Sequence, residues 1–231
     1  MDDSAFRVGM CLRLGISPCC ADRCARCGAS MSTAGTHGLH CRRSAGRHSR
    51  HGAINDVITR ALCTAQLPAK REPTGLYTTQ TRPDGQTLVP WRLGRCLVWD
   101  ATVVDTLAPS HVLATSGVAG AAADEAESAK RAKYVDRLPL AYEFVALGFE
   151  TLGGLGASAR EFLIDLSSRL VRVTGDSRAG EHLCQRLSLE LLRGNVGSIL
   201  GAVVHENVVV NSVLSFGGEV MPMAREQVLF E

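Results

Sequence analysis

Apolar residues along this chain recur with helical or alternating spacing, and the changes of spacing mark its elements. Phe6, Val8, Met10, Cys11 and Leu14 suggest a helix over residues 3–14. Ile54, Val57, Ile58, Ala61 and Leu62 form one face of a helix over 52–66. Residues 68–80 have no period and read as extended chain or loop. The stretches 85–90 and 95–104 are β-rich and predict a hairpin joined around Arg92-Leu93-Gly94. A small-residue loop follows over 110–123, then an Ala/Glu/Lys/Arg-rich helix over 124–138 and a strand over 141–149. Phe162, Leu163, Leu166, Leu170 and Val173 define an amphipathic helix over 157–173. A last helix is predicted over 180–204, although Gly194, Gly197 and Gly201 each cost it about 1 kcal/mol of propensity. This order predicts the mixed α/β class. Residues 205–231 carry no assignable role.

Residues 16–41 interrupt the pattern. They are rich in Cys, Gly, Ser and Thr and too poor in apolar residues to fold unaided. Five of the nine cysteines lie within 11–27, and no basic n-region followed by an apolar run opens the chain. Crowded cysteines in an intracellular protein read as metal ligands before disulfides. Cys24, Cys27, His37 and Cys41 have the spacing C-x2-C-x9-H-x3-C, which offers zinc four N/S ligands. His40, or Cys19 and Cys20, are substitute ligands. Cys63, Cys96 and Cys184 sit in apolar runs and are expected to be buried thiols.

The hairpin carries two carboxylates. Asp84 and Asp100 are equidistant from residue 92, so a regular hairpin would set them opposite each other on one face, about 5 Å apart. Two such charges need a cation between them, and oxygen ligands favour magnesium or manganese. Asp84 could instead serve the turn, but Asp100 is embedded in Cys96-Leu-Val-Trp-Asp-Ala-Thr-Val-Val104 and needs a partner. Glu72 is a possible third acid, and Asp105 has the parity to point away. Lys130, Lys133 and Tyr134 lie at helical spacing after the hairpin, and either lysine is a candidate catalytic cation. Most such lysine pairs are solvated helix faces. Here they are two of only three lysines among 25 basic residues.

The net charge of +2 conceals a local excess: residues 42–71 hold seven basic groups against one acidic. Arg42, Arg43, Arg47, His48, Arg50 and His51 form a basic linker able to contact phosphates whatever their sequence. No aromatic residues interleave it for base stacking. No transmembrane helix is evident, because the longest apolar stretch, 196–216, is broken by His205, Glu206, Asn207 and Asn211.

Taken in order, the set resembles one family. Cys24, Cys27, His37 and Cys41, then Arg47-His48 or Arg50-His51, then Pro83-Asp84, Asp100 and Lys130-x-x-Lys133-Tyr134 resemble the C-terminal region of site-specific non-LTR retrotransposon reverse transcriptases. That region pairs a CCHC zinc knuckle with a restriction-enzyme-like endonuclease of the PD-(D/E)xK class. The resemblance covers roughly residues 2–204, and the phrase from His37 to His51 also resembles cellular open reading frames derived from such elements. It implies a small zinc knuckle followed by a central mixed β-sheet flanked by helices, and an enzyme that nicks target DNA to prime reverse transcription. It implies structural zinc, catalytic magnesium or manganese at Asp84 and Asp100, a DNA partner (RNA being the other candidate) and a nuclear location. The expected division is a helical remnant of an upstream region over 1–15, the knuckle and basic linker over 16–50, the endonuclease over 51–204 and a tail over 205–231. No Tyr/Phe-Ala-Asp-Asp polymerase signature occurs, so the polymerase domain is expected to lie outside this chain. The sequence departs from the pattern in three places. The interval from Asp100 to Lys130 is long, Thr102 stands where the wider class has its lysine, and the knuckle spacing is slightly stretched.

Overall fold

In a computed structural model of the protein, residues 2–75, 82–134 and 137–203 are described. The tail over 205–231, residues 76–80 of the 68–80 segment, residues 135–136 of the helix predicted over 124–138 and residue 204 of the one predicted over 180–204 lie outside the described residues. The predicted hairpin is the centre of the fold. Strand β4 (Gly85–Arg92) turns at Leu93-Gly94 into β5 (Arg95–Val104). Both turn residues have positive φ, 47° and 76°, as a two-residue type I′ turn requires. A turn centred there would set Asp84 opposite Val103. Instead β4 spans seven residue steps where β5 spans four, between the Gly85–Trp99 and Arg92–Arg95 pairs. These bulges restore the Gly85–Trp99 register and carry Asp84 back to Asp100, next to the hydrogen bond from the Asp84 amide to the Trp99 carbonyl (3.0 Å).

Edge strand β3 (Ala69–Arg71) adds antiparallel to β4, inside the segment read as extended chain or loop. On the other side, β6 (Tyr142–Glu150) pairs parallel with β5 across its full length. The crossover between them holds α4 (Val112–Gly117) and α5 (Ala121–Tyr134). The sheet order is therefore β3-β4-β5-β6, a four-stranded mixed sheet. Alternation sorts its side chains onto two faces. Leu97, Trp99, Ala101, Leu147 and Phe149 join the main core with α3 (Ala45–Thr64), α6 (Ala157–Thr174) and α7 (Ala179–Leu200). Val98, Phe144 and Ala146 pack with Tyr134 of α5 on the other. Asp100 shares the parity of Val98 and so faces α5.

Two boundaries differ from the sequence reading. The basic linker is not a linker: α3 begins at Ala45 and carries Arg47 to His51 in its first two turns. Its amphipathic pattern is masked by Arg50, a charged residue only 2% exposed. Helix α5 begins at Ala121, because the buried Glu150 carboxylate accepts the Ala122 amide (3.0 Å) and closes its free N-terminal end. Buried Glu127 does the same for α6, accepting the Ser158 and Ala159 amides at 2.8 and 2.9 Å. Neither cap is near its helix in sequence.

The cysteine-rich segment is not a separate bead. It forms a two-residue hairpin, β1 (Asp22–Arg23) with β2 (Ser30–Met31), then the short α2 (His37–His40). Its Cys24, Met31, Leu39 and Cys41 share one apolar cluster with Ala5 and Val8 of α1 (Asp3–Leu14) and Val196 and Ile199 of α7. The divisions expected at 15 and 50 therefore run through shared packing. Among the described residues, no helix is long and apolar enough to cross a membrane.

The glycines of α7 are explained by this packing. A Cβ on Gly194 would lie 2.4 Å from Arg50 Cβ of α3. One on Gly197 would meet nothing within 4 Å. Gly194→Ala should therefore destabilise the fold by about 1–3 kcal/mol despite alanine's better helix propensity. Gly197→Ala should stabilise it by up to about 1 kcal/mol. Chemical denaturation of both variants, showing opposite signs, is the check.

Candidate metal centres and nucleic-acid interface

Two clusters of ligand-bearing side chains occur among the described residues. The first is Cys24, Cys27, His37 and Cys41, whose ligand atoms all lie within 4.8 Å of one another. The turn after β1 presents Cys24 and Cys27, and α2 presents His37 and Cys41. Cys24 and Cys41 Sγ are 3.8 Å apart, and Cys27 Sγ lies 3.2 Å from His37 Nε2. Tetrahedral zinc with bonds of about 2.0–2.3 Å needs ligand separations of about 3.3–3.8 Å. The set can thus hold a metal ion such as zinc. Burial pushes the Cys24 thiol up, but the Arg26 and Cys27 amides and neighbouring thiols outweigh it, and its pKa falls below the usual value. Burial and neighbouring His40 lower that of His37. Both shifts favour the protonation states a metal requires, whereas burial and the neighbouring thiols raise the pKa of Cys41.

The substitute ligands have other partners. His40 Nδ1 lies 2.7 Å from Asp105 Oδ2, and Cys19 is buried with Sγ 3.1 Å from the Thr33 carbonyl. Cys20 is exposed. The expectation of three buried thiols is corrected: Cys63 and Cys184 are exposed and Cys96 is half-buried. Apolar neighbours in sequence did not put those positions on the inner face of their elements.

The second cluster is His51, Asp84 and Asp100, again within 4.8 Å. Asp84 precedes β4 where that strand leaves the edge of β5 uncovered. Its Oδ2 accepts the Ala101 amide at 2.7 Å, replacing a missing strand partner. The same oxygen lies 2.9 Å from His51 Nε2, which is also 3.1 Å from the Ala101 carbonyl. Both of those oxygens are acceptors, so Nε2 carries a proton. Asp100 is 4% exposed. Lys130 donates to both of its oxygens, at 3.0 and 3.1 Å. The Tyr134 hydroxyl hydrogen-bonds the Arg82 carbonyl (3.2 Å) and also lies against Asp100. Its ring stacks on Phe144 with centroids 4.7 Å apart.

These environments split the two acids. Burial raises the pKa of Asp100, and Lys130 and Tyr134 offset this only in part. Burial also pushes Asp84 up, but the hydrogen bond and charge of His51 and the Ala101 amide bring its pKa below the ordinary carboxylate value. The Asp84 hydrogen bond raises that of His51.

The structure brings Asp84, Asp100, Lys130 and Tyr134 together and leaves Lys133 and Glu72 out. Lys133 is exposed, its ammonium 4.9 Å from the Tyr134 ring centre. Glu72 has an exposed side chain and joins the site only through its amide, which donates to the Asp84 carbonyl (2.9 Å). Asp105 is likewise remote from the pair and belongs to the His40 contact.

The basic run divides. Arg42, Arg43, Arg47 and His48 are exposed and available to phosphates. Arg50 is corrected: its guanidinium is buried, donating to Asn195 Oδ1 at 2.7 Å and to the Leu39 carbonyl at 3.2 Å. His51 is also moved, from the phosphate-contacting set to the carboxylates. Sequence reasoning missed this role, and the signal was present. His51 and Asn55 are one turn apart, and Asn55 accepts from Trp99 Nε1 (2.9 Å) while donating to the His51 carbonyl (3.2 Å). A His-x3-Asn pair opening an apolar helix face marks a buried polar site.

No protein-family model matches the chain, and no curated protein matches it.

Two measurements test these geometries. Purified protein should hold one zinc per chain, lost in the Cys24→Ser/Cys27→Ser variant and kept in Cys20→Ser, by elemental analysis. In metal-free protein, His51 should titrate above the ordinary value of about 6.5. A raised imidazole pKa stabilises the fold at low pH and stops doing so as pH rises through the folded value. Asp84→Asn should lower the His51 midpoint, read from its imidazole proton resonance.

Proposed function

We propose that this chain is the metal-dependent DNA-nicking endonuclease region of a non-LTR retrotransposon-derived reverse transcriptase, with a PD-(D/E)xK-type core. The observation that carries the reading is the meeting of Asp84 and Asp100 where β4 begins beside β5, with Lys130 on the second acid. The four-stranded mixed sheet with helices on both faces accords with the central flanked sheet that the resemblance implies. Thr102 is not a lysine, and Lys130 of α5 supplies the missing cation from across the crossover.

The carboxylates of Asp84 and Asp100 fit a magnesium or manganese ion. Such an ion, when bound, activates water and polarises the attacked phosphate. Asp84 is fixed by the Ala101 amide, and Asp100 is oriented by Lys130 and Tyr134. The Lys130 ammonium stands where it can stabilise charge building on the phosphate. Arg42, Arg43, Arg47 and His48 hold the DNA backbone, and the Cys24, Cys27, His37, Cys41 module, loaded with zinc, fixes the start of α3 that presents Arg47 and His48. On this reading the protein acts on DNA in the nucleus.

A second reading is a domesticated or decayed fragment that binds nucleic acid, DNA or RNA, without cutting. One observation favours it: Lys130 and His51 already balance both carboxylates. Supercoiled plasmid incubated with magnesium separates the readings. The endonuclease converts it to open circles, and Asp84→Ala/Asp100→Ala slows this at least about a hundredfold while leaving DNA binding intact. Equal inactivity of both proteins, with retained binding, favours the fragment. Arg42→Ala/Arg47→Ala should reduce the salt dependence of DNA affinity by about 0.9 per lost contact.

A further inference from the structure

We propose that His51 is the third protein ligand of the cation held by Asp84 and Asp100, and that the site therefore selects manganese over magnesium. The inference rests on the endonuclease reading for the existence of that cation and goes beyond it in ligand set and metal class. Three observations carry it. The Nε2 atom of His51 and a carboxylate oxygen from each aspartate lie within 4.8 Å of one another, close enough for one ion to touch all three. Nε2 is aimed between two oxygens, Asp84 Oδ2 at 2.9 Å and the Ala101 carbonyl at 3.1 Å. One of those two oxygens, Asp84 Oδ2, belongs to the same three-residue cluster. Asn55, 0% exposed and locked by Trp99 Nε1, donates to the His51 carbonyl and lies 3.4 Å from Nε2, fixing the residue beside the carboxylates.

Lys130 already opposes Asp100. Coordination through Nε2 uses its lone pair, so a proton on that atom leaves to solvent while the ring keeps the one on Nδ1. An all-oxygen set would suit magnesium, whereas an imidazole nitrogen moves preference toward transition metals, and carboxylates keep manganese acceptable. The histidine was assigned from sequence to the phosphate-binding run, and the buried neighbour Arg50 fixes the rotation of α3 that turns it inward.

The test uses the full chain with its zinc module loaded and titrates manganese, then magnesium, with pulsed electron paramagnetic resonance on the bound manganese. The expected result is one manganese per chain, bound about tenfold or more tighter than magnesium, with a nitrogen hyperfine coupling. His51→Gln should lose both the coupling and the preference while keeping zinc content. His51→Ala serves as the second variant if glutamine's own oxygen reaches the ion. Bound manganese without nitrogen coupling, or an unchanged preference in both variants, overturns the proposal. Magnesium-dependent nicking that needs Asp84 and Asp100 but ignores His51→Gln overturns it and leaves the endonuclease reading standing. No divalent binding beside the zinc overturns both.

Discussion

Two carboxylates facing each other across a strand pair are the constraint on which this structure turns. Asp84 and Asp100 lie partly or wholly out of water, and the repulsion between them must be offset locally. The fold supplies the offset from two directions. Helix α3, packed on one face of the sheet, brings His51 to Asp84, and α5, packed on the other, brings Lys130 to Asp100. Neither helix could be displaced without leaving a buried charge unpaired, an error that costs several kcal/mol. The polar cluster thereby fixes how the flanking helices sit on the sheet, beyond what their apolar faces specify.

The same helix carries the constraint to the cysteine cluster. Arg50 precedes His51 and is buried about a quarter turn away round α3. Its guanidinium binds the Leu39 carbonyl in α2 and Asn195 in α7, and Asn195 donates to the Thr151 carbonyl at the end of β6. One buried residue thus ties the ligand-bearing α2, the long α7 and the sheet together. The absence of a side chain at Gly194 makes room for it. A guanidinium suits this place because its rigid fork satisfies two acceptors on different elements at once.

Much of this was legible in the sequence, and the limits are physical. The cysteine and histidine spacing sufficed for the first cluster because a C-x2-C turn and a helical H-x3-C bring ligands together locally. The pairing of Asp84 with Asp100 also followed from the sequence, but through compensation. The midpoint argument places the turn one and a half residues early, and three extra residues in β4 return the register to the expected pair. Helix starts at Ala45 and Ala121 were hidden, because Arg50 breaks the apolar period and Glu150 caps from 28 residues away. A basic run looks the same in sequence whether its members are solvated or buried. Only three-dimensional packing separates Arg47 from Arg50 and His48 from His51.

The choice of lysine at 130 follows from the same geometry. The chain uses arginine for 22 of its 25 basic residues, so an arginine here would be the ordinary outcome. An arginine fork would lock both oxygens of Asp100 in a planar bidentate pair and keep them from another cation. An ammonium at 3.0 and 3.1 Å is a compact point charge on a flexible stem. On the proposed endonuclease reading it withdraws along that stem, releases one oxygen and remains close enough to compensate a phosphate. Lys130, its side chain 29% exposed, has the room for this movement, whereas its aspartate, 4% exposed, does not. On that reading the lysine is the mobile member of the pair and the carboxylate is its fixed point.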